Sequence, residues 1–265
     1  MRVKTEQAAG GAITPADYHQ RVSEHGWEPL SGARWRHRLP RRGPYDREQM
    51  LVAFAQGRRV VHVGFVDEHR LETKLGQGTW LHARLADAAS SLVGIDVEEE
   101  GVRWATEHGF EAHAVDAQSP KAVAALGLEP ADVVIAGEVI EHLDAPGPFL
   151  RAMRELAAPG GLLVVTTPNA YRLLNFLAPA AGVELVHPDH TAWHSPHTLA
   201  TLLARSGWEL EGAAYYQNPA PALDGLAGTA VRFGRAAFVR FGRLAPYWSD
   251  GLVVWARRAG SVTPG

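Results

Sequence analysis

The chain has 265 residues, an apolar fraction of 46%, a charged fraction of 21% and a net charge of −3. That is the profile of an ordinary globule with room for one large domain or two small ones, and nothing global draws it to nucleic acid. It has no cysteine, which excludes disulfides and thiolate chemistry. Met1 to Gly11 lacks the apolar centre of a signal peptide, and no segment approaches the roughly 18 unbroken apolar residues of a membrane span. The expectation is a cytoplasmic protein without stable membrane insertion.

Residues 1–45 read as an N-terminal arm. Its patch Arg34-Trp-Arg-His-Arg-Leu-Pro-Arg-Arg42 interleaves an aromatic with arginines, as nucleic-acid arms do. The acidic total favours instead an arm packed on the domain through Trp27 and Trp35. The domain proper is expected over 46–265, where strand and helix signals alternate from Arg58 onward. Val60-Val-His-Val63 ends at Gly64, Leu92-Val-Gly-Ile95 at Asp96, Ala112-His-Ala-Val115 at Asp116, and Val133 to Ala136 at Gly137-Glu138. The run Gly161-Leu-Leu-Val-Val-Thr-Thr167 stops at Pro168-Asn169. Four apolar residues from Val133 to Ala136 are too few for a helix and suit a strand buried on both faces.

Helix signals fill the gaps. Glu98, Glu99 and Glu100 put negative charge at a helix start, Phe149, Met153 and Leu156 form a helical stripe, and Ser195-Pro196 is an N-cap followed by proline in the first turn. Such alternation predicts an α/β protein with a doubly wound, mostly parallel sheet. Trp208 to Gln217 and Gly251 to Ala256 read as two further strands closing one edge antiparallel. Between them an insertion at about 219–248 is expected, with a basic helix over Gly225 to Leu244 that packs on the domain as a lid or insertion.

The chemistry sits at the strand ends. An acid ending the second strand of such a sheet accepts hydrogen bonds from ribose hydroxyls, and ligands bind just beyond the strands. A second acid at the third strand can accept from an adenine amine. Asp96 and Asp116 occupy those places, and Gly137-Glu138 follows at the fourth strand, with Glu141 and His142 one helical turn on.

With these residues in view, the chain resembles the class I S-adenosylmethionine-dependent methyltransferases, most closely the small-molecule branch with the ubiquinone-biosynthesis O-methyltransferases. The matching segments are Val93-Gly-Ile-Asp96, Val115-Asp-Ala117, Asp132 to Leu143, Leu156-Ala-Ala-Pro-Gly-Gly161 and Val165-Thr-Thr-Pro-Asn169. The resemblance implies a seven-stranded sheet whose last strand is antiparallel, with S-adenosylmethionine as cofactor. It places the ribose on Asp96, the adenine near Val97, Asp116 and Ala117, and the methionine end near Glu138. Val63, Gly64, Gly137 and Val139 complete the expected wall. The function implied is methyl transfer to an oxygen of a small-molecule acceptor, a metabolite, sugar or natural-product intermediate, by a possible homodimer with no nucleic-acid partner. A non-catalytic scaffold with this fold and, behind it, a nicotinamide-dependent oxidoreductase are the alternatives.

The first strand departs from the family pattern of an acid followed by alternating glycines. His62 stands at the acid position, Gly64 is kept, and Val66 and Glu68 replace the later glycines. The interval from Gly64 to Asp96 also exceeds the roughly 20 residues between glycine loop and acid in dinucleotide sheets. Residues 65–75 are therefore read as an added loop, with Gly76-Gln-Gly78 a second candidate for the cofactor wall and Asp67 or Glu68 for the methionine ammonium. Candidate bases are His142, His190 and His194, since histidine titrates near working pH. No metal is expected, because His187-Pro-Asp-His190 is not a helical i, i+4 pair and carries a proline. Leu177 to Val186 is expected to cover the acceptor pocket.

Overall fold

Seven strands form one sheet in the computed structural model, which describes residues 28–30, 34–36, 38–67, 70–218 and 244–259. The strands are β1 (Arg59–Val63), β2 (Ser91–Asp96), β3 (Glu111–Ala114), β4 (Ala131–Gly137), β5 (Ala157–Pro168), β6 (Trp208–Tyr216) and β7 (Gly251–Arg258). Their order is β3-β2-β1-β4-β5-β7-β6, parallel except that β7 runs antiparallel to both β5 and β6. Residues 28–30 and 34–36 form a separate two-stranded antiparallel pair. Trp27, the side chain of Trp35 and the 225–243 part of the expected basic helix lie outside the described residues.

Helices cover both faces, as a parallel sheet requires. On one side are α5 (Pro120–Ala125), α6 (Pro146–Leu156) and α8 (Pro196–Arg205); on the other are α1 (Arg47–Ala55), α3 (Leu81–Ala88) and α4 (Glu99–Glu107). Alternation along β4 explains the division. Val134 and Ala136 pack with Phe149, Met153 and Leu156 of α6, while Val133 and Ile135 pack with Leu51 and Ala55 of α1 and Leu85 of α3. Val133, Val134 and Ile135 are fully buried, each stabilising the fold by about 1.5–3 kcal/mol.

The caps fall where side-chain chemistry puts them. Ser195 and Thr198 form a capping box at α8, with Pro196 in the first turn. Glu98 is the N-cap of α4 rather than part of its first turn, its carboxylate accepting from the Glu100 and Gly101 amides. Asp46 caps α1 by accepting from Gln49 N at 2.8 Å. Residues 42–45 extend along the free edge of β6, with Tyr45 N donating to Tyr215 O and Tyr215 N to Arg42 O, both at 3.0 Å.

The segment after β1 corrects one expectation. It is no plain loop, because Leu71–Gly76 forms a short helix, α2, whose buried Leu71 joins Phe65, Trp80, Val102 and Ala105 in a third apolar cluster. Glycines absent from this segment stand on its neighbours instead. A Cβ on Gly94 would lie 2.7 Å from Phe65, and one on Gly101 2.5 Å from Val66. The bulky loop thus packs closely because β2 and α4 leave the room.

His62 is likewise accounted for. It is buried on the α3 side, its Nδ1 3.1 Å from Nδ1 of the buried His82. Burial depresses both pKa values, that of His82 to about 3 from 6.5. The folded state then binds fewer protons than the unfolded chain below pH 6.5, so stability falls as pH drops from there towards 3. At pH 4.5 the loss from His82 is roughly 2–3 kcal/mol. The double variant His62→Val with His82→Leu should lose less melting temperature than the parent between pH 6.5 and 4.5. Parallel pH dependences for the two proteins would refute the buried neutral pair.

Candidate functional site

The sheet order reverses direction at β1 and β4, and the crevice beyond their carboxyl ends is where ligands of such sheets bind. Register pairs Val63 with both Ala136 and Ile95, which brings Gly64, Gly137 and Asp96 to one level at the mouth. Gly64 sits at φ +72, and a Cβ there would lie 2.2 Å from Cγ2 of Val139. Backbone conformation and space both demand glycine at this position.

Asp96 closes β2 and holds the β1 loop in place. Its Oδ2 accepts from Val66 N at 2.9 Å and its Oδ1 from Glu98 N at 3.1 Å. Burial raises its pKa, and these amide bonds oppose the rise. A carboxylate offers about four acceptor sites, so two remain for ligand hydroxyls. Beside it Val97 is 71% exposed, an apolar surface at the mouth of the crevice. Asp116 Oδ1 accepts from Gln118 N at 2.8 Å, and Ala117 packs against the core.

Glu138 carries the strongest backbone signal. At φ 58 it is the only non-glycine among the described residues with positive φ. That conformation costs about 1–3 kcal/mol and persists only where surroundings enforce it. They do so here: Glu138 N donates to Thr166 O at 2.9 Å, and Tyr216 Oη donates to Glu138 Oε1 at 2.6 Å. Arg47 Nε lies 3.9 Å from the same carboxylate oxygen and donates to Thr166 Oγ1 at 3.0 Å. Its guanidinium lies so close over Gly137 that a Cβ there would approach it to 2.5 Å. Thr166 lies in the Val165 to Asn169 segment singled out in the sequence, whereas Arg47 and Tyr216 carry no marker there. Only the folded sheet brings α1, β5 and β6 to this one carboxylate.

The turn Ile140–His142 is a single 3-10 turn. Glu141 is 1% exposed, and its Oε2 accepts from Thr167 Oγ1 at 3.0 Å. Thr166 and Thr167, on opposite faces of β5, therefore serve Arg47 and Glu141 respectively. Burial, and then the charge of Glu138, push the Glu141 pKa up to about 8. The site thus favours its protonated, neutral form.

The structure separates the histidine candidates. His142 and His190 meet with ring centroids 4.7 Å apart, and His187 joins them at 5.9 and 5.3 Å. The loop carrying His187 and His190 is tied to the turn by Thr191, whose amide donates to Glu141 O at 2.8 Å and whose hydroxyl donates to Leu143 O at 3.0 Å. His194 stands apart: it is 4% exposed, burial lowers its pKa, and a hydrogen bond to the Ile140 backbone opposes that shift.

Other expected positions fall outside this constellation or at its margin. Gly76 and Gly78 lie at the end of α2 with nothing within 4 Å of an added Cβ, and Gly78 at φ +66 serves a turn. Asp67 pairs with Lys74 at 2.6 Å, while Glu68 lies outside the described residues. In the 177–186 segment Leu177, Val183 and Leu185 are exposed, as is Phe176 in helix α7 (Leu174–Ala180), which buries no residue.

Comparison with known proteins follows the same lines. A methyltransferase-domain family matches residues 33–212. Ubiquinone biosynthesis O-methyltransferase of Caulobacter sp. (strain K31) is 32% identical over 196 residues, covering 70% of this chain and 75% of the relative. The protein of that name from Bordetella avium (strain 197N) is 30% identical over 220 residues, covering 78% and 86%. Among solved structures, the fold is similar to a chain in the Haloferax volcanii complex of the Trm112 methyltransferase activator with a methyltransferase. The TM-score is 0.53 at 15% identity, covering 82% of this chain and 90% of that one. The chain belongs to the class I S-adenosylmethionine-dependent methyltransferases, an enzyme whose cofactor is S-adenosylmethionine.

Proposed function

We propose that this enzyme methylates an oxygen of a small-molecule acceptor placed between Glu138 and the histidines of the following turn and loop. The observation that carries the reading is the meeting of His142, His187 and His190 beside the enforced Glu138 backbone. Transfer is an in-line displacement, so the acceptor must stand about 3 Å from the methyl carbon and surrender its hydroxyl proton. Burial, and then the charges of His142 and His187, lower the pKa of His190, which leaves it neutral and able to accept that proton at pH 7. The name borne by the relatives, O-methyltransferase, supports an oxygen acceptor.

S-adenosylmethionine, when bound, supplies the electrophilic methyl. Asp96 would hold its ribose, with Val97, Asp116 and Ala117 around the adenine. Val63, Gly64, Gly137, Glu138 and Val139 would form the wall at the methionine end, with the Glu138 carboxylate facing the ammonium. Tyr216 and Arg47 position that carboxylate. His194, buried behind the turn, orients Ile140 and hence His142.

Asp96→Ala should weaken binding of S-adenosylhomocysteine at least tenfold by calorimetry, because hydrogen bonds to a charged group are worth about 1.5–3 kcal/mol each. An unchanged dissociation constant would refute the ribose assignment. A second expectation concerns Glu141. Its folded pKa, about 8, lies above the ordinary 4.5, so the folded state holds a proton that the unfolded chain releases. Stability from the neutral acid is complete below pH 4.5 and is lost as pH rises through 8. Glu141→Gln, which keeps the acceptor for Thr167 and never ionises, should gain melting temperature relative to the parent between pH 5 and 8.5. A difference that stays flat with pH would sink the assignment of a neutral Glu141.

A further inference from the structure

We infer that Tyr171, Tyr215 and Tyr247 form a hydroxyl-lined subsite that holds a second, neutral oxygen function of the acceptor, a carbonyl or hydroxyl remote from the oxygen that is methylated. Neighbouring residues of a strand point to opposite faces, so β6 ends with Tyr216 on Glu138 and Tyr215 on the α8 side. Register aligns Tyr215 with Leu252 of β7, and Leu252 with Thr167 of β5. Two strand spacings, together about 10 Å, therefore separate Tyr215 from Thr167. Thr167 in turn holds Glu141 at the turn carrying His142. The phenol stands on the same side of the sheet as that turn, within the length of one small molecule.

One side chain fixes the backbone of two of the three phenols. Asn169, fully buried just beyond β5, accepts through Oδ1 from Tyr171 N at 3.0 Å. Its Nδ2 donates to Tyr247 O at 2.8 Å and to Ser249 O at 2.9 Å. The 3-10 turn Pro246–Trp248 that carries Tyr247 packs against β6, and Leu173 N donates to Trp248 O at 3.1 Å. Tyr171 and Tyr247 are half-buried. Tyr215 is fully buried, and its hydroxyl has no hydrogen-bond partner among the described residues. The hydroxyl of Ser249 is in the same state. Leaving a buried hydroxyl unsatisfied costs free energy, and beside a crevice a ligand oxygen is the partner that recovers it.

The chemistry of the cluster selects its ligand. Burial, and then the charges that Tyr171 and Tyr247 would carry, raise the pKa of Tyr215, which keeps it a hydroxyl donor and places the three phenols within electrostatic reach of one another. Arg172, beside Tyr171, is engaged by Asp250 at 2.8 Å. The subsite thus presents hydroxyls rather than positive charge, which suits a neutral carbonyl or hydroxyl better than a carboxylate or phosphate. The acceptor's reactive end rests on the proposed O-methylation; the binding of its far end by the three phenols does not.

The test uses the full chain saturated with S-adenosylhomocysteine, so that nothing turns over, and calorimetry with rod-shaped probes. These are 4-hydroxybiphenyl, 4,4′-dihydroxybiphenyl with an oxygen at each end, and 4′-hydroxybiphenyl-4-carboxylate. The dihydroxy probe should bind about fivefold tighter than the monohydroxy one, the worth of one net hydrogen bond, and tighter than the carboxylate. Tyr215→Phe should erase that preference and leave the affinity for S-adenosylhomocysteine unchanged, and Tyr247→Phe should reduce it. Because Tyr215→Phe removes only an unpartnered hydroxyl, the unliganded variant should melt at or above the parent temperature. Equal binding of the two neutral probes overturns the subsite, as does a preference undiminished in Tyr215→Phe. A lowered melting temperature of that variant also overturns it, by showing the hydroxyl already satisfied within the fold. Tightest binding of the carboxylate overturns the neutral-oxygen assignment. Methyl transfer from S-adenosylmethionine to the probes, assayed separately, tests the oxygen-acceptor reading, and its failure would leave the binding preference standing.

Discussion

The hydrogen bond from Tyr216 to Glu138 ties the edge strand β6 back to the strand switch, at the one non-glycine residue among those described whose backbone has positive φ. Tyr216 ends β6, the outermost strand, while Glu138 follows β4, next to the switch in strand order. Four strands, β4, β5, β7 and β6, therefore have to find their register before the carboxylate can be held. The β7 position between β5 and β6 makes this possible: it inverts one strand so that the ring of Tyr216 packs against Gly251, where any Cβ would collide with it at 1.8 Å. The strain at Glu138 is thus sustained by long-range packing, as strain at functional positions usually is.

A second constraint works in the opposite half. The β1 loop lacks the small residues that let a backbone approach its ligand, yet Val66 N reaches Asp96 at 2.9 Å. Glycines at 94 and 101 absorb the bulk of Phe65 and Val66 from outside the loop. Trp80 adds to this by donating through its indole to Phe65 O at 3.2 Å. Loss of loop glycines is compensated by receding neighbours, so the loop's conformation follows from how β2 and α4 are built rather than from its own flexibility.

The legible part of this protein was local. Four apolar residues before Gly137-Glu138 announced β4 because a doubly buried strand needs no alternation. The acids at 96 and 116 announced strand ends, and Ser195-Pro196 announced a helix start through a cap whose partners lie within three residues. What stayed hidden was set by contacts between distant segments. Arg47 drew no notice in the sequence, because its role appears only when α1 docks against β4 and β5. His62 read only as a departure from the family's acid position because its partner, His82, sits on a helix whose packing no periodicity reveals. The helix over Leu71–Gly76 is too short for a helical pattern to rise above its turn residues.

The histidine rim shows how the two kinds of information meet. Hydrogen bonds from Thr191 and Ala192 to one carbonyl, Glu141 O, decide that the 187–194 loop lies against the turn after β4. That carbonyl belongs to a residue whose own side chain is buried and neutral, clasped by Thr167 on the face of β5 opposite Arg47. An ionised Glu141 would place a second negative charge beside Glu138 in a site with little water, and repulsion there would loosen the turn. The protonation of a buried acid, the angle of the turn and the meeting of three imidazoles are consequently one coupled arrangement. The wall of the crevice concentrates charge on Glu138 and Arg47, with the three imidazoles on its rim.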